Sequence, residues 1–78
     1  MLQKQPLVEK DLIALAKRFR KQAGKTRAQA AREMGVAQTS IFNVEESPGQ
    51  SLLKLRMRMI EAYSPFKVVG PVFYLENK

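Results

Sequence analysis

The stretch that most constrains this chain is Gly24 to Val36, GKTRAQAAREMGV, because both ends of a short helix are written into it. Thr26 followed three residues later by Gln29 reads as a capping box, in which hydroxyl and amide each satisfy an orphan backbone N–H. The helix closes at Met34-Gly35, where glycine permits a sharp turn. A further helix is expected almost at once, from about Ala37 to Glu46, with Val36, Ile41 and Val44 facing inward. Ala30 and Ala31 are small, so the two helices can approach closely. Two short helices joined at a glycine have the spacing of a helix-turn-helix.

The flanks supply two more helices. Val8, Leu12, Leu15, Ala16, Phe19 and Ala23 recur at steps of three and four, which predicts a first helix over about Val8 to Ala23. Gly24 is placed to end it in the left-handed conformation. Ser47-Pro48-Gly49 ends the third helix, and Ser51 is expected to cap a fourth that reaches Tyr63. That fourth helix carries Leu52, Leu55, Met59, Ala62 and Tyr63 on one stripe and Leu53, Met57 and Ile60 on another. So wide an apolar surface needs cover from the tail or from a second subunit. Arg56 falls inside this arc and needs an acceptor there or a path to water. The tail, Phe66 to Leu75, is rich in Val, Phe and Tyr and reads as extended, with Gly70-Pro71 either bending it or dividing it into two strands. No other segment reads as a strand, so pairing across a dimer is the favoured expectation for its backbone.

Composition limits what such a fold can do. The 78 residues contain no cysteine and no histidine, which removes disulfides, thiolate metal sites, the commonest metal ligand and the usual catalytic base. No nucleotide-binding glycine loop is present, so the expectation is a protein without catalytic residues, metal or cofactor. No stretch approaches a membrane span and no apolar signal region appears at Met1 to Gln5, so a cytoplasmic location and no membrane partner are expected. The formal net charge of +7 favours an anionic partner, nucleic acid above all. Seven cations (Lys17, Arg18, Arg20, Lys21, Lys25, Arg27, Arg32) fall in one block without a carboxylate, while Glu33 to Leu53 has no Lys or Arg. One segment is suited to phosphates and the next to something more selective.

The outward face of the third helix is the selective part. It carries Gln38, Thr39, Phe42 and Asn43, with Ser40 at its margin. Gln and Asn can bond adenine through two hydrogen bonds, and Thr and Phe can contact a thymine methyl. These four are the expected base contacts. Arg27, Arg18, Lys25, Ser40 and Arg32 are the expected contacts to the DNA backbone.

The run from Gly24 to Val36, followed by Ser40-Ile41 and Glu45, resembles the XRE family of helix-turn-helix proteins, the lambda-repressor and Cro type, over about Leu12 to Tyr63. The resemblance implies a four-helix, mainly α domain over residues 1–64, with a C-terminal strand or short hairpin over 65–78 pairing across a dimer. It further implies a recognition helix in the major groove and twofold dimers on near-palindromic duplex DNA. It also implies a structural ion pair between Arg20 and Glu45. Val68, Val69, Val72, Phe73 and Tyr74 are then the expected dimerisation residues. Two positions depart from the family: Arg27 stands where a Gln is usual, and Ala37 where a Ser or Thr would cap the third helix, an omission worth about 1 kcal/mol. The function implied is a homodimeric, sequence-specific repressor of bacterial, phage or plasmid type. The alternative is an antitoxin that holds a toxin or other protein partner and autoregulates its own operon.

Overall fold

Four helices precede a two-stranded antiparallel hairpin: α1 (Glu9–Gln22), α2 (Arg27–Met34), α3 (Gln38–Glu46), α4 (Leu53–Tyr63), β1 (Phe66–Val69) and β2 (Tyr74–Asn77). The computed structural model of the chain describes residues 7–48, 52–69 and 73–78.

The ends of α1 and α2 follow from local chemistry. The Asp11 carboxylate accepts from the Val8 N–H at 3.0 Å, while Glu9 and Asp11 sit in the first turn and Arg20 and Lys21 in the last, as the helix dipole favours. At the other end Gly24 takes φ +74°, and the Gly24 and Lys25 amides donate to Lys21 and Arg20 carbonyls. The expected capping box opens α2: the Thr26 hydroxyl accepts from the Gln29 N–H at 3.1 Å and the Gln29 side chain accepts from the Thr26 N–H at 2.8 Å. Gly35, at φ +72°, ends it in the same way, with Val36 N–H reaching the Ala31 carbonyl at 2.9 Å. Three residues, Gly35 to Ala37, separate α2 from α3. Ala37 stands at the N-cap of α3 with no side chain able to cap it.

The core draws on every element: Leu12, Ala16 and Phe19 of α1, Ala30 and Ala31 of α2, Ile41 and Val44 of α3, Leu55, Met59 and Ile60 of α4, Val68 of β1 and Leu75 of β2. Helix α1 lies against α3 and α4, α2 against α3, and β1 against α4. Val8 and Ala23, expected on the apolar face of α1, are instead its two exposed cap residues, lying beyond the turns that meet the core. On α4 Ala62 is exposed while Ile60 of the second stripe is fully buried, so the buried face is rotated from the one the first stripe marked. Ser51, the expected cap, lies outside the described residues. Leu52 occupies the N-cap position and contributes no side-chain hydrogen bond.

The tail solves its backbone problem internally. Phe66 pairs with Asn77, Lys67 with Glu76, Val68 with Leu75 and Val69 with Tyr74, and Leu7 adds a single antiparallel bridge to Phe73. The case for pairing across a dimer rested on the lack of an internal partner, and the hairpin supplies one. The side chain of Val68 is directed into the core of its own subunit, 6% exposed, and Phe73 is half-buried against that core. Val72 lies outside the described residues.

Arg56, expected inside the apolar arc of α4 with an acceptor or a path to water, is fully buried and has acceptors. Its guanidinium sits at the C-terminal end of α3. Nε donates to the Val44 carbonyl at 3.1 Å and Nη2 to the Ser47 carbonyl at 3.1 Å, satisfying carbonyls that a helix end leaves without partners. Nη1 donates to Glu9 Oε2 at 2.7 Å. One side chain thus ties the end of α3 to the first turn of α1.

Candidate nucleic-acid interface

Helix α3 is fixed from below by two fully buried side chains, Ile41 and Val44. Its opposite face is open. Gln38, Thr39 and Phe42 are exposed, and Ser40 and Asn43 are half-buried. The Asn43 carboxamide oxygen accepts from the Ser47 hydroxyl at 3.2 Å, which orients its side chain toward the helix end. Phe42 is 47% exposed, one of two large apolar side chains among the described residues left open in this way, the other being Val8.

The C-terminal end of α3 carries Glu45 and Glu46, and the cations gather around them. Arg20 binds Glu45 through two hydrogen bonds, Nε to Oε2 at 2.6 Å and Nη2 to Oε1 at 3.0 Å, and its Nη1 donates to the Lys25 carbonyl at 2.7 Å. The Glu45 side chain is wholly enclosed and that of Arg20 nearly so. Desolvation of such a pair offsets much of its attraction, but removing one member leaves the other charged and buried. Arg27 joins the same group, with Nε on Glu45 Oε1 at 3.0 Å and Nη2 on Glu46 Oε2 at 2.8 Å. Lys17 completes it, 2.6 Å from Glu46 Oε2. The lysine's hydrogen bond, joined by the Arg27 charge, holds the Glu46 carboxyl below the usual range against a smaller opposing effect of burial.

Arg27 has a second contact. Its guanidinium carbon lies 5.1 Å from the centroid of the Phe42 ring, within cation–π range. The residue expected on a phosphate is therefore bound to two carboxylates and laid over an aromatic ring of its own chain. Lys25, also expected on the backbone of DNA, pairs with Glu33 at 2.8 Å. Glu33 accepts as well from the Tyr63 hydroxyl at 2.6 Å, and Lys25 followed by Tyr63 holds its carboxyl low. Burial and this carboxylate push the Tyr63 phenol upward.

The cation block divides in consequence. Lys17, Arg20, Lys25 and Arg27 have carboxylate partners, while Arg18, Lys21 and Arg32 are exposed and make no ion pair. Arg18 lies 5.4 Å from the Phe19 ring. The Arg20–Glu45 pair is the one the family resemblance implied; the partners of Lys17, Lys25 and Arg27 were not assigned from sequence. The role of Lys17 and the partners of Arg56 were likewise not assigned from sequence.

No group of acidic side chains among the described residues is arranged to hold a metal ion, and no described helix is long and apolar enough to cross a membrane. No protein-family model, curated protein or solved structure matches the chain.

Proposed function

We propose that this chain is a sequence-specific, duplex-DNA-binding regulator, a repressor that acts as a homodimer in the cytoplasm with α3 in the major groove. The observation that carries the reading is the α2–Gly35–α3 unit. It anchors α3 through Ile41 and Val44 and leaves Gln38, Thr39 and Phe42 projecting on the far side. The resemblance of Gly24–Val36 to the XRE family supports the same reading, as does a net charge of +7. The dimer follows from the twofold sites that such domains use, with α3 of each subunit in major grooves roughly 34 Å apart. No part of the site is catalytic in this proposal.

Within the Lys17–Arg32 block, the exposed cations without a carboxylate partner take the phosphates. Arg18, Lys21 and Arg32 are those residues; Arg27 and Lys25 belong to ion pairs inside the protein. Base selection falls to Gln38, Thr39 and Phe42, with Asn43 at the edge of the face.

Selection from random duplex DNA near physiological salt tests the proposal. A recovered twofold motif establishes a dimeric, sequence-reading protein. Gln38→Ala should then relax preference at one base position while leaving non-specific binding intact. Salt-sensitive binding with no enriched motif would remove α3 as a reading element and favour a protein-interaction module instead.

A further inference from the structure

Phe42 is an apolar side chain on a polar face. Around it stand Gln38 one turn before, Thr39 three residues before, and Asn43. An apolar group brought by a ligand would take part of this exposed ring out of water, a favourable transfer. The major groove offers one such group at base edges, the C5-methyl of thymine. 5-Methylcytosine places the same methyl at the same ring carbon.

The ring is also held. The guanidinium of Arg27 lies 5.1 Å from its centroid, and Arg27 is itself fixed by Glu45 at 3.0 Å and Glu46 at 2.8 Å. Glu45 is in turn fixed by the buried Arg20 at 2.6 Å. A chain of contacts therefore runs from the core to an exposed aromatic ring. The Arg27 contact favours one position of the ring before a ligand arrives, which reduces the entropy lost on binding.

We infer that Phe42, braced by Arg27, reads the C5-methyl group of a pyrimidine in the major groove, so that thymine or 5-methylcytosine is preferred at one position of each half-site over uracil or unmodified cytosine. The inference rests on the DNA-binding reading above. It assigns Arg27 a positioning role, through Phe42, in place of a phosphate contact.

The test uses the duplex recovered by selection, with each thymine replaced singly by deoxyuridine. That change removes one methyl and leaves every hydrogen bond of the base in place. Burial of one such group corresponds to about a fourfold change in affinity, so one position per half-site should show a loss of that size. 5-Methylcytosine at that position should bind more tightly than cytosine by a similar factor. Phe42→Ala should bring the thymine-to-uracil ratio to about one, and Phe42→Leu should keep part of it. Arg27→Met should lower the ratio; equal weakening on thymine and uracil duplexes would make Arg27 a phosphate contact and overturn its role as a brace. Selective binding with no methyl effect at any position would overturn the inference and leave the proposed function standing. Failure to recover any motif would overturn both.

Discussion

Arg56 Nη1 and Glu9 Oε2 lie 2.7 Å apart, joining the buried face of α4 to the first turn of α1. The two ends of this contact differ in kind. Arg56 is fully buried and its other donors reach the carbonyls of Val44, Asn43 and Ser47, whereas the Glu9 side chain is 42% exposed. Stability should therefore respond unequally. Arg56→Met should cost about 3–5 kcal/mol, since it removes the donor to the Val44 and Ser47 carbonyls at the end of α3. Glu9→Gln should cost about 1 kcal/mol or less, as water can reach that end. Urea denaturation of the two variants measures the difference. Comparable losses would mean that Arg56 acts through Glu9 rather than through the end of α3.

Gly35 should tolerate a side chain sterically but not conformationally. A Cβ there would meet nothing within 4 Å, yet φ is +72°. Gly35→Ala should cost about 1–2 kcal/mol, the penalty for a left-handed L-residue. Gly35→Asn should cost less. An unchanged denaturant slope in both would mean that stability has changed without a change in the surface exposed on unfolding.

Acid should weaken the fold through Glu33 and Glu46. Both carboxyls titrate below their ordinary value of 4.5 when folded. A lowered folded value means that their contribution to stability is present above the unfolded carboxylate range and is lost as pH falls through the lowered values. Lys25 is the largest influence on Glu33 and Tyr63 the next. A carboxyl-carbon NMR titration should show the Glu33 value rising further in Lys25→Met than in Tyr63→Phe. The reverse order would place the main partner of Glu33 on α4.

Salt dependence should separate paired from unpaired cations. DNA affinity falls with salt in proportion to the phosphates neutralised. Arg32→Ala should reduce the slope of log affinity against log salt by about one. Lys25→Ala should reduce it by less, because Lys25 already faces Glu33 at 2.8 Å. Equal effects would return Lys25 to the phosphate set.

What the sequence revealed was largely local. The Thr26–Gln29 capping box, the left-handed Gly24 and Gly35 and the uncapped Ala37 each involve residues within one turn, and each is present. Ile41 and Val44 were readable because periodicity alone separates the two faces of a helix. The hairpin was one of the two forms the tail allowed, strand or short hairpin, and pairing with a second chain was favoured only because no segment outside the tail reads as a strand. The acceptors of Arg56 were unreadable for a different reason: three of them are backbone carbonyls, which every sequence has. Arg27 looked like a phosphate ligand since Glu45 and Glu46 belong to another helix, and only the packing of α2 on α3 brings them within reach.

The hairpin also sets an order of events in synthesis. Phe19 of α1 rests against Phe66 of β1, ring centroids 6.1 Å apart, and Leu7 waits for Phe73. At about 5–20 residues per second, translation delivers those partners seconds after α1 is complete. Without the hairpin, the four helices would keep a partly uncovered apolar side. Val68 and Leu75 are the residues that close it, so shortening them should speed the opening of the finished fold more than it slows the first collapse. The hairpin, made after the helices it covers, would then decide how long the folded protein lasts.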